Sequence, residues 1–163
     1  MIDCEMAMER DVDQAGQKLW SLYEPFLYSR VGELDGPQRA FYVLWNFHAS
    51  ICTDGLWNFF RQSDGDLVAY IRDDLSAAGA TYYSTIVAEA LALIGAETIW
   101  SGETARTALL LSPPPDLLDR LAVLDRLFFD RLDDFVIAIY NYASRHRDSF
   151  GQSDDFWQEG TAP

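Results

Sequence analysis

Cysteine and histidine are scarce, with two of each in 163 residues, and that narrows the available chemistry. Cys4 and Cys52 stand at no metal-ligand spacing and are too few for a disulfide framework, so both are expected to be free thiols. Neither His48 nor His146 has a glutamate three residues before it, which excludes the Glu-x-x-His pattern of carboxylate-bridged metal bundles. There is no Gly-x-Ser-x-Gly elbow, no Walker loop and no Cys-His pairing by spacing. Long apolar runs are missing too. The longest, Phe135 to Tyr140, is far short of a membrane span, and the opening MIDCEMAMERDVD has neither the basic nor the apolar segment of a secretory leader. A cytoplasmic protein that does not enter the membrane is expected.

Basic residues are the other deficit. Twelve Lys and Arg face 26 Asp and Glu, a formal charge of -14 that repels nucleic acid and anionic membrane and attracts basic partners. Residues 1–35, 36–100 and 101–163 carry -5, -4 and -5, so the acid is spread over a folded body and is no acidic tail. Hydrophobic residues make up 49% and aromatics 14%, ample for one core in a chain of single-domain length. A glycosidase-like pair of carboxylates is a spatial requirement and not a sequential one, so an uncharacterised carboxylate-based hydrolase stays open as an alternative.

The periodicity predicts an all-α fold: a single compact multi-helix domain over 1–147 with a long buried C-terminal helix, and a polar tail over 148–163. Met1 to Asp13 reads as a fraying arm. Leu19, Leu22, Tyr23 and Phe26 share one face of a first helix over Asp11–Glu24 that Pro25 limits. Asp35 and Pro37 mark the start of a second, whose face is Phe41, Leu44, Trp45, His48 and Cys52, with His48 read as a core or boundary residue. Asp54-Gly55 ends it, and Leu56-Trp57-Asn58-Phe59-Phe60 forms one turn of aromatic anchors. Ser63-Asp64-Gly65-Asp66 reads as a turn with Asp66 capping a helix of face Leu67, Tyr70, Ile71 and Leu75; it lacks the ligand order of a calcium loop. Gly79 and Gly95 follow apolar runs, where a left-handed cap suits glycine, and Thr81 is expected to cap the helix between them. A further helix over Glu97–Leu110 stops at Pro113. The last and longest runs from Asp116 to about His146, roughly 45 Å, with Arg126 and Asp130 paired on its wet side. In the tail, Phe156 and Trp157 are expected to pin it to the body.

The run Asp54-Gly55-Leu56-Trp57-Asn58-Phe59-Phe60, the turn at Ser63 to Asp66, the helix end Ala90-Leu91-x-x-Ile94-Gly95-Ala96 and the later Leu124-Asp125-x-x-Phe128-Phe129 together resemble a bacterial DNA-mimic family, a domain of unknown function whose studied member binds a transcription factor. The resemblance implies an all-helical fold, no cofactor, and a role in occupying a protein surface that otherwise binds DNA; the missing catalytic motifs make a non-enzymatic protein the expectation. The expected partner is a basic DNA-binding protein; the alternative is a cationic toxin such as a nuclease, neutralised by an immunity-type inhibitor. Asp64, Asp66, Asp73 and Asp74 from one helix, and Asp119, Asp130, Asp133 and Asp134 from another, are the candidate partner-binding residues, because several helices side by side are needed to approach the charge density of duplex DNA.

Overall fold

Pro25 lacks an N–H and its ring crowds the preceding turn, so the first helix, α1 (Ile2–Tyr23), stops ahead of it and passes into a 3-10 turn at Glu24–Phe26. The computed structural model describes residues 2–62, 66–95, 103–114 and 116–158, with side chains described from Val12 onward except at positions 103, 105, 108 and 109. α1 starts at Ile2, where a fraying arm was expected; the strong helix formers Glu5, Met6, Ala7, Met8, Glu9 and Arg10 carry it back. α2 (Gly36–Arg61) begins as read: the Asp35 carboxylate accepts the Gln38 N–H at 2.9 Å and Pro37 occupies the first turn. It kinks at Gly55 and runs on through the aromatic anchors, of which Leu56, Phe59 and Phe60 are fully buried.

α3 (Val68–Ala77) ends in a Schellman arrangement, with Gly79 at φ +74 and the Ala80 N–H on the Leu75 carbonyl at 2.8 Å. The Arg145 guanidinium also reaches the free carbonyl of Ala78, at 3.4 Å. α4 (Thr81–Ile94) has Ala80 at its cap position, so Thr81 is its first helical residue and its hydroxyl plays no capping part. α5 spans Glu103–Leu110; the start of the helix expected from Glu97 lies outside the described residues.

The single helix expected over 116–146 is broken. α6 (Leu117–Phe129) and α7 (Leu132–Arg145) meet at a turn through Asp130 and Arg131, with neither proline nor glycine at the break. In one straight helix Phe128 and Phe135 would stand about 10 Å apart along the axis. Here their rings meet edge to face at 5.2 Å, and both pack on Phe47 (5.6 and 6.0 Å) and Tyr83 (5.2 and 4.5 Å). Tyr82 donates to the Leu127 carbonyl at 2.9 Å, an acceptor that helical bonding leaves free at the break, and Tyr83 donates to the Arg131 carbonyl, which also takes the Phe135 N–H at the start of α7. Aromatic packing outweighs the periodicity that favours continuity.

Among the described residues there is helix and turn and no strand. α2 is the hub, touching α3, α5, α6 and α7; α1 lies along α7, and α4 touches α3 and α6. After α7 the chain folds back. Gln38 donates to the Ser149 carbonyl at 2.7 Å, and Trp157 in α8 (Asp154–Gln158) is buried beside Tyr140 and Phe150. No described helix is long and apolar enough to cross a membrane.

Candidate acidic interaction surface

The eight aspartates fall into three groups. Asp64 lies outside the described residues. Asp66, Asp74 and Asp134 are each held by an arginine. Asp66, expected to cap α3, instead bonds the fully buried guanidinium of Arg106 in α5, which also donates to the Gln62 carbonyl. Arg131 clasps Asp134 at 2.6 Å on the surface. Asp74 leaves the candidate set: it is 2% exposed and its Oδ1 lies 3.0 Å from Arg39 Nη2, so its charge is spent inside the fold. Its pKa is raised, chiefly by burial, with the Arg39 hydrogen bond and charge pulling the other way. The position was readable in the sequence, since Asp74 sits three residues after Ile71 and seven after Leu67, on the stripe that faces the core.

Asp73, Asp119, Asp130 and Asp133 are exposed and make no ion pair with any described residue. The pairing expected between Arg126 and Asp130 does not form; Arg126 turns to the Ala122 carbonyl at 3.2 Å. The break between α6 and α7 places Asp130, Asp133 and Asp134 around one corner, with the last two in the first turn of α7, where the helix dipole favours negative charge. Burial, and then the charge of Asp134, push the nearby Tyr83 hydroxyl up to about 12.

Two motifs 69 residues apart in the chain meet in space. The backbone N–H of Leu56, first after the Gly55 kink, donates to Asp125 Oδ1 at 2.9 Å, so a carboxylate from α6 caps the second half of α2. Burial raises the Asp125 pKa and the Leu56 hydrogen bond opposes that. Among the described residues the carboxylates raised by burial, Asp74 and Asp125, thus each hold a hydrogen bond that joins two helices. Among the described residues no three His, Cys, Asp or Glu side chains gather as a metal ion needs.

His48 stacks on Trp45 at 5.1 Å, and its Nε2 stands 3.7 Å from Cys52 Sγ, a Cys-His pair at i,i+4 that inspection of spacing had missed. Its Nδ1 is buried without a partner, and burial lowers its pKa to about 4. Between that value and the 6.5 of an unfolded chain, the unfolded state binds more protons, so stability falls as pH drops through this window, by about 3 kcal/mol in all. Urea unfolding of His48→Phe between pH 7 and 4 is expected to lack this loss. Parallel curves for the two proteins would remove His48 as its source.

The profile of the DMP19-like protein family matches residues 32–146. The chain belongs to the DMP19-like protein family. The DMP19-like span covers α2 to α7, including both motifs joined by Asp125 and all eight candidate aspartates, and leaves α1 and α8 outside. The DNA-mimic assignment that the motifs suggested therefore stands. No curated protein and no solved structure matches the chain.

Proposed function

We propose that this protein is a non-enzymatic DNA mimic that covers the DNA-binding surface of a basic partner in the cytoplasm, as an anti-regulator of transcription. What carries the reading is the set of outward carboxylates on α3, α6 and the α6–α7 corner (Asp73, Asp119, Asp130 and Asp133) that no described cation neutralises, on a chain of the DMP19-like family. Unpaired carboxylates keep their full field, and a surface of net charge -14 steers a cationic protein toward it. Duplex DNA offers a charge every ~1.7 Å of axis, a density that one helix cannot supply but neighbouring helices approach.

The test replaces Asp73, Asp119, Asp130 and Asp133 together by Asn. Capture of the native partner from a cell extract at low salt is expected to be lost, with the helical circular dichroism unchanged, and duplex DNA is expected to compete with the unaltered protein for that partner. Asn at Asp66 and Asp134, already engaged by arginines, should weaken capture far less. Capture that survives the fourfold change, or that ignores both salt and duplex DNA, would overturn the reading.

A further inference from the structure

Outside the DMP19-like span, α1 presents a face that the fold does not cover. Asp13, Gly16, Gln17, Trp20 and Ser21 recur at spacings of three and four and line an open groove of about 730 Å³, closed on its other side by Trp45 and His48 of α2 and Val136 of α7. Trp20 is 51% exposed, an unusual state for an indole on a helix that packs into a core. Its ring continues an aromatic wall through Tyr23 (6.0 Å) to Trp45 (6.3 Å from Tyr23) and the stacked His48. Gly16, one turn before Trp20, leaves the floor open: a Cβ there would meet nothing within 4 Å. Among the described residues Asp13 is the only acidic one that lines the groove, and no lysine or arginine lines it. Lys18 of the same helix points elsewhere, over the Tyr140 and Phe156 rings.

An indole face and a carboxylate that line one groove, two turns apart on the same helix, suit one kind of guest. A planar cation stacks on the ring, whose face carries negative charge, while the carboxylate takes its N–H donors, and a guanidinium does both better than an ammonium. We propose that the groove between α1, α2 and α7 is an arginine-binding site, in which a guanidinium from a basic protein partner stacks on Trp20 and bonds Asp13. That the arginine belongs to a protein partner rests on the function proposed above; the affinity of the groove for a guanidinium does not. Tryptophan half-buried at a groove is also the side chain on which binding energy tends to concentrate.

Titration with N-acetyl-arginine amide, read on the indole N–H signals by NMR, tests this. A saturable shift at Trp20 and Trp45 is expected, with none from the neutral isostere N-acetyl-citrulline amide. Trp20→Ala, followed at Trp45, should weaken binding roughly two- to thirtyfold. Gly16→Leu fills the groove from a position with open space and should abolish the shift while the fold persists; Asp13→Asn should weaken it. No saturable shift, equal binding of the citrulline compound, or indifference to Gly16→Leu overturns the proposal. So does a Trp20 signal that moves with protein concentration alone, which would give the groove to a second copy. The fourfold Asn variant should keep the arginine shift, because none of its positions lines the groove. The charge-mimicry reading and this site can therefore fail separately.

Discussion

Gly55→Ala is expected to destabilise the fold by about 2–6 kcal/mol, a large share of the ~5–15 kcal/mol that holds a domain of this size. Two costs add. The backbone at Gly55 has φ +74 and ψ +177, a region open in practice to glycine alone, so any Cβ strains it by ~1–3 kcal/mol. That Cβ would also stand 2.9 Å from Asp125 Oδ2. The carboxylate is the free end of a side chain and can swing away, but only by releasing the Leu56 N–H, a buried donor whose loss costs a further ~1–3 kcal/mol. Urea midpoints at constant slope measure the sum. The coupling is the sharper check: Asp125→Ala removes both the clash and the cap, so the two substitutions together should cost clearly less than their separate costs added. Strict additivity, or a Gly55→Ala loss within ~0.5 kcal/mol, would show that the kink does not depend on this contact.

That contact also marks the limit of what could be read from the chain. Several signals with a local cause were legible: Asp35 and Pro37 open α2, Pro25 closes α1, and Gly79 and Gly95 each take a positive φ at a helix end. The break after Phe129 has no local cause. Apolar spacing of three and four runs straight through it, and only the meeting of Phe128 and Phe135 with Phe47 and Tyr83, more than 40 residues away in sequence, sets the turn there. Asp125 reads as one more surface acid by composition, yet it lies four residues after Leu121 and three before Phe128, on the buried stripe. The same wheel arithmetic separates Asp74 from Asp73. Helical phase, applied to the acids of α3 as well as to its apolar residues, takes Asp74 out of the candidate surface. Arg106 gave less warning, because the carboxylate and carbonyl it meets, those of Asp66 and Gln62, lie 40 and 44 residues earlier in the chain.

Arg39→Met should cost about 3–5 kcal/mol at neutral pH, because it strands a buried carboxylate. Asp74 holds one hydrogen bond, from Arg39 to Oδ1, while its Oδ2 is buried without a partner. Met keeps much of the packing that the Arg39 stem makes and removes the charge that balances Asp74, as well as the guanidinium that lies 5.2 Å from the centre of the Tyr70 ring. The dependence on pH then identifies the cause. Burial and the neighbouring charge of Asp73 raise the Asp74 pKa, and Arg39 is what opposes them. Without it the folded-state pKa moves further above that of the unfolded chain. A carboxyl of that kind is best tolerated below its unfolded pKa, and stability is lost as pH rises through the folded value. The deficit of Arg39→Met relative to the unaltered protein should therefore be greatest at pH 7 and shrink on acidification, with the His48 loss common to both and cancelling in the difference. Arg39→Met combined with Asp74→Leu should recover most of the stability, since replacing a buried pair by apolar groups removes the stranded charge along with its partner. A deficit that stays constant from pH 7 to 4 and persists in the double variant would trace the loss to the Tyr70 contact and leave the charge of Asp74 unimportant. The outcome bears on the acidic surface as well, because the Arg39–Asp74 bond ties α3 to α2 and so sets where the adjacent Asp73 is presented.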